Sequence, residues 1–190
     1  MILTPDNEYA AVLDACVLYP MPLCDTLLRL AEEPAFYRPI WSEEILCEVS
    51  RTLIGQGYSE EQAKRRLRAM KEAFPEAMVD IPREIISGVS ASLPDKKDCH
   101  VLAAAILSHA NTVVTQNTRD FPNDCRDKYG ILCQNADDFL IHQYWLGPEQ
   151  VLEKLDYQAA HRKKERAALL ELLERTTPKF VRLIRTGKLD

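Results

Sequence analysis

Taken as a succession of apolar and polar positions, the chain alternates short buried strands with amphipathic helices. Tyr9 to Ala15 (Tyr-Ala-Ala-Val-Leu-Asp-Ala) is apolar except for Asp14, which suits a central strand better than an amphipathic helix. Tyr19-Pro-Met-Pro22 breaks the chain, and Leu23, Leu27, Leu28, Leu30 and Ala31 then make a short helix that stops near Pro34. Phe36-Tyr-Arg-Pro-Ile-Trp41 follows. Ser42 opens a helix as its N-cap, with Ile45, Leu46, Val49 and Leu53 as the apolar stripe. Gly55-Gln-Gly57 ends that helix, and Ser59-Glu-Glu-Gln62 opens the next as a capping box. Met78-Val-Asp-Ile81 predicts a short strand, and Glu84 to Val89 a short helix.

The second half repeats the alternation. Ser92 to Ser108 predicts a helix with Asp95 and Asp98 in its first turn and Val101, Leu102, Ala105 and Ile106 at helical spacing; Asp95, after Pro94, is placed to cap it. Thr112 to Thr115 is β-branched throughout and uncharged, as a strand covered on both faces would be. Tyr129 to Cys133 predicts another strand, and Asn135 caps a helix with Phe139, Leu140 and Tyr144 inward. From Pro148 the composition shifts. Glu149 to Glu174 predicts one long charged helix, and Lys179 to Arg185 a second amphipathic piece. Such a helix cannot hide its leucines alone, so it docks on its own domain or on a partner. This pattern divides the chain into an α/β domain over residues 1–147 and a helical extension over residues 148–190.

Composition narrows the classes. With 190 residues, 46% hydrophobic and 28% charged, the chain can bury one good core. No apolar run approaches a membrane span and no basic-then-apolar leader is visible, so the expectation is a cytoplasmic protein with no membrane partner. None of the six cysteines forms a C-x-x-C pair, which predicts reduced, mostly buried thiols rather than zinc or disulfides. The net charge of −5 leaves phosphate attraction to local clusters: Lys64 to Lys71, Arg162 to Arg166 and Lys179 to Lys188. The first of these reads most simply as a solvated helix face.

Four acids stand out by context. Asp14 ends a strand, Glu48 sits in a helix between Cys47 and Val49, Asp98 lies in a helix first turn, and Asp120 follows a strand. At one sheet edge they would repel strongly and persist only if cations neutralise them. Hard oxygen donors without thiolate or paired histidine favour Mg²⁺ or Mn²⁺. Such a site can activate water against a phosphodiester.

Four stretches carry a resemblance: Val12-Leu-Asp-Ala-Cys-Val-Leu-Tyr-Pro20, Trp41-Ser-Glu-Glu-Ile-Leu-Cys-Glu-Val49, Asp95-Lys-Lys-Asp-Cys-His-Val-Leu-Ala-Ala-Ala105 and Val114-Thr-Gln-Asn-Thr-Arg-Asp-Phe121. In that order they resemble the PIN-domain nucleases over roughly residues 8–142, with the likeness strongest to VapC-type toxins of toxin–antitoxin pairs. The resemblance implies a three-layer α/β/α fold around a central, mostly parallel sheet, with the C-terminal helices as an extension. It implies Asp14, Glu48, Asp98 and Asp120 as catalytic metal ligands, and Thr115 and Asn117 as contacts to them or to substrate phosphate. Asp95, one turn before Asp98, fits a cap better than a ligand. Cys16 and Cys99 depart from the family pattern beside the presumed ligands and could make the site sensitive to oxidation or soft metals.

The activity so implied is metal-dependent hydrolysis of RNA, with water attacking phosphorus to leave a 5′-phosphate and a 3′-hydroxyl, by the toxin of a type II toxin–antitoxin pair. Its partners would be an RNA substrate, a small antitoxin protein and, as is common in the family, a second copy in a homodimer. His100, two residues after Asp98, is expected to point elsewhere and serve the fold. The competing reading is a catalytically silent PIN-like module that binds RNA or protein through its basic, leucine-rich C-terminal helix. A receiver-like phosphoacceptor lacks its adjacent N-terminal acid pair and late lysine here.

Overall fold

In a computed structural model the described residues are 9–89, 98–121 and 128–189. The apolar runs become strands: β1 (Ala10–Leu13), β2 (Arg38–Ser42), β3 (Met78–Val79), β4 (Thr112–Val114) and β5 (Leu132–Gln134). The amphipathic stretches become helices: α1 (Ala15–Leu18), α2 (Met21–Ala31), α3 (Glu43–Gly55), α4 (Glu60–Ala73), α5 (Arg83–Val89), α6 (Cys99–Leu107), α7 (Ala136–Leu146), α8 (Pro148–His161), α9 (Arg166–Leu173) and α10 (Pro178–Thr186).

All described strand pairs are parallel, in the order β3-β2-β1-β4-β5. The central β1 and β4 are buried along their whole length, so both faces of the sheet are covered by helices in a three-layer α/β/α arrangement. From β1 the chain builds outward to β2 and β3, then returns to place β4 on the other side. The crevice beyond the carboxyl ends of β1 and β4 is therefore the topological switch point, where such sheets bind ligands.

β2 occupies a stretch whose pattern announced no element, because Pro39 lacks an N–H. Arg38 donates its amide to Tyr9 in the β1 direction, so the ring nitrogen of Pro39 faces the other way, where β3 has not yet begun; pairing to β3 starts only at Trp41.

The predicted helix over 149–174 is two helices, α8 and α9. Lys163 takes a left-handed conformation (φ 54°), with its amide donating to the Ala160 carbonyl and that of Lys164 to Ala159. That is a helix stop normally built with glycine, here made by a lysine, so the sequence carries no breaker to see. α8 docks on its own chain. Fully buried Gln158 accepts from the Thr26 hydroxyl at 2.8 Å and donates to the Pro22 carbonyl at 3.0 Å. Lys154 Nζ donates to the Arg29 and Glu32 carbonyls at the end of α2, each at 2.8 Å. At the start of α10, buried Asp137 accepts from the amides of Lys179 (3.0 Å) and Phe180 (2.6 Å).

No helix among the described residues is long and apolar enough to cross a membrane. The described cysteines are free thiols: Cys24 and Cys99 are buried as expected, Cys16 and Cys133 are half-buried, and Cys47 is exposed.

Candidate functional site

The sheet delivers Asp14 to the switch point directly. It is the first residue after β1, and its amide still pairs with the Val114 carbonyl of β4. Its carboxylate caps α1, accepting from the Ala15 amide at Oδ1 (2.6 Å). Oδ2 accepts from the Thr115 hydroxyl at 2.6 Å and the Cys16 thiol at 3.0 Å. Asp14 is 5% exposed, yet no Lys or Arg lies within ion-pair distance among the described residues. A buried carboxylate normally has a cation beside it or coordinates one.

Asp14 opens instead on a cavity of about 280 Å³ lined by Cys16, Tyr19, Glu48, Arg51, Asp98 and Asn117 among others. Three of the four candidate acids thus line one cavity. Glu48 comes from α3 and is half-exposed rather than buried; Asp98 stands at the N-cap position of α6 without spending its side chain on capping. Asp120 is not part of this lining. It closes the single 3₁₀ turn Thr118–Asp120 on the loop that carries Asn117. Asp95 lies outside the described residues. Thr115 is fully buried and joins the site by binding Asp14, and its hydroxyl also accepts from the Asn117 amide at 3.0 Å.

His100 is not among the described residues that line the cavity, as expected, yet it approaches one of the candidate acids. It is 8% exposed, its Nε2 has no hydrogen-bond partner, and that atom stands 3.7 Å from Glu48 Oε1. The packing of α6 on α3 brings the two together, and no spacing within one helix announces such a meeting.

Carboxylate oxygens and the Asn117 amide make a hard donor set, suited to Mg²⁺ or Mn²⁺. The thiol beside them does not soften it. Burial, then the neighbouring Asp14 charge, pushes Cys16 up to about 12, so its sulfur is held as a neutral donor. Among the described residues, however, no three acidic, thiol or imidazole side chains stand close enough to hold one ion together.

Many members of the basic clusters have acid partners within the chain, most of them at the surface. Lys64, Arg68 and Lys71 pair with Glu60, Glu72 and Glu43, and Arg66 donates to the Leu18 and Tyr19 carbonyls at the end of α1. Arg162, Arg166, Lys179 and Arg185 pair with Asp25, Asp156, Asp138 and Glu174. A second cavity, about 430 Å³ and mainly apolar, lies between α2 and α4 and contains none of the four candidate acids.

Residues 10–119 match the family model of the PIN domain. Over 47 residues the chain is 47% identical to VapC50 of Mycobacterium tuberculosis (strain ATCC 25618 / H37Rv), a protein named as a candidate ribonuclease. That match covers 25% of this chain and 28% of the relative, so the chain spans little more than a quarter of the curated protein it matches. No solved structure matches the chain.

Proposed function

The chain belongs to the PIN-domain family, and on that footing we propose that it is a divalent-metal-dependent endoribonuclease, the toxin of a toxin–antitoxin pair. The observation that carries the reading is Asp14: a carboxylate 5% exposed, with no basic side chain in ion-pair reach among the described residues, facing a cavity shared with Glu48 and Asp98. The ribonuclease in the name of the relative VapC50 supports RNA as substrate, and the motif resemblance to VapC-type toxins supports a small antitoxin as partner.

In this proposal Asp14, Glu48 and Asp98 would hold Mg²⁺ or Mn²⁺, with Asp120 joining them only if its loop moves toward the cavity; the ion would supply charge neutralisation and Lewis acidity toward a phosphodiester. The remaining work belongs to the chain. Thr115, Cys16 and the Ala15 amide fix the Asp14 carboxylate in one orientation, so little reorganisation remains when substrate arrives. His100 backs Glu48 from the protein side, and the Asn117 amide is a donor for a phosphate oxygen. Residues 1–147 carry the chemistry, and residues 148–190 brace α2 and α7.

A second reading, a module that binds RNA or protein without cutting, draws on the separation of the acids, since no three potential ligands among the described residues converge on one point. Incubating the purified chain with single-stranded RNA separates the two. The nuclease reading expects cleavage with Mn²⁺ that stops with EDTA and falls by about a thousandfold in Asp14→Asn, the several kcal/mol that such charge stabilisation supplies. Intact RNA with wild type across all Mn²⁺ concentrations would leave only the silent module.

A further inference from the structure

Three residues that line the acidic cavity have no part in the proposed chemistry, namely Tyr19 after α1, and Arg51 and Thr52 on α3. Arg51 is the sole cation among the described lining residues. Its Nε is tied at 3.3 Å to the Cys47 carbonyl one turn back, which sets the direction of the guanidinium. It stands three residues after Glu48, yet among the described residues no carboxylate pairs with it, whereas Lys64, Arg68, Lys71, Arg166 and Arg185 all have acid partners. Its two Nη groups are therefore available to an incoming acceptor. Thr52, half-buried beside it, adds a hydroxyl, and Tyr19 packs partly on the core while contributing to the cavity surface.

A fixed guanidinium, a hydroxyl and an aromatic ring are what a single-stranded nucleotide needs: a forked donor for phosphate, a partner for phosphate or sugar, and a face for the base. We propose that Tyr19, Arg51 and Thr52 form a nucleotide subsite flanking the scissile phosphate, with Arg51 binding the neighbouring phosphate and Tyr19 stacking its base. This rests on the RNA-directed reading above and adds to it the side from which the strand enters. A cation in that place also lowers the cost of bringing a polyanion up to a row of carboxylates.

The test is binding of a short fluorescein-labelled single-stranded RNA, measured by anisotropy with Ca²⁺ in place of Mn²⁺ at several salt concentrations. Arg51→Ala is expected to weaken binding about tenfold and to lower the salt slope by about 0.7, the share of one phosphate on a single strand. Arg51→Lys should recover part of the loss, because a point charge replaces a fork. Tyr19→Leu should weaken binding about tenfold while Tyr19→Phe binds as wild type, the pattern of stacking rather than of a hydroxyl contact. Mn²⁺ affinity should hold or tighten in Arg51→Ala. Unchanged RNA affinity and salt slope in Arg51→Ala, a surface change that leaves the core intact, would overturn the subsite, whatever happens to Mn²⁺. If wild type cleaves RNA and these variants bind as it does, the subsite falls alone; if the variants lose binding but wild type never cleaves, the nuclease reading falls and with it the scissile phosphate, and what stands is a nucleotide-binding site at Tyr19 and Arg51.

Discussion

Asp14 and Asp137 are both buried aspartates beside a helix start, 5% and 7% exposed, and neither pairs with a Lys or Arg side chain among the described residues. Their surroundings differ in kind. Asp137 gives each oxygen to one amide at the start of α10, so its charge meets the positive end of a helix and is consumed there. Asp14 takes one amide, one hydroxyl and one thiol, then looks out on two more carboxylates across a cavity. Burial of an acid therefore marks no function by itself; what marks it is a set of neighbours that leaves the charge uncompensated.

Replacing each member of the pair tests the contrast most strongly. Asp137→Ala leaves two helix-start amides without an acceptor and is expected to cost about 3 kcal/mol in a denaturant melt, with specific activity of the folded fraction unchanged. Asp14→Asn should do the reverse, abolishing cleavage while stability holds or rises by up to about 1 kcal/mol as like charges are relieved. Equal loss of stability in both variants would erase the distinction.

Smaller changes sharpen it. Gln158→Leu removes the buried amide that links the Thr26 hydroxyl and the Pro22 carbonyl, which keep only their bond to each other, and should lower unfolding free energy by about 1 kcal/mol; a melt superimposable on wild type would mean that α8 is not held through this buried amide. His100→Ala should reduce cleavage about tenfold by loosening Glu48, with His100→Gln between it and wild type. Kinetics of these two variants that match wild type would assign His100 to packing alone. The mildest effect concerns Cys16. With its thiol pushed up to about 12, roughly one part in ten thousand is thiolate at pH 8, so iodoacetamide followed by peptide mass spectrometry should label exposed Cys47 first. The shift is upward from 9.0, so the folded form holds this proton more tightly than the unfolded chain does; its contribution to stability is present below pH 9 and is lost as pH rises through 12.

Much of this was legible before any coordinates, for identifiable reasons. The strands β1 and β4 declare themselves because a strand buried on both faces must be continuously apolar. The caps Ser42, Ser59 and Asn135 bond as their side chains dictate. Asp14 could be singled out because a charge in such a strand needs a reason. What escaped depends on neighbours distant in sequence. β2 hides behind Pro39, whose missing N–H is harmless because β3 has not begun beside it, and the stop after α8 uses a lysine in a glycine's conformation. His100 lies two residues from Asp98 but serves Glu48, fifty-two positions earlier, through packing that no periodicity encodes. Asp120 follows its strand as expected but sits outside the cavity wall.

α1 has only four residues, far too few to sustain a helix unaided, and both its ends are tied from outside. Asp14 anchors its beginning, and the guanidinium of Arg66 on α4 grips the Leu18 and Tyr19 carbonyls at its close. The crevice, which α1 lines through Ala15 and Cys16, thus borrows part of its shape from α4, which supplies none of its described lining, so a ligand pressing on the outer surface of α4 has a mechanical route to the Asp14 carboxylate without ever touching it.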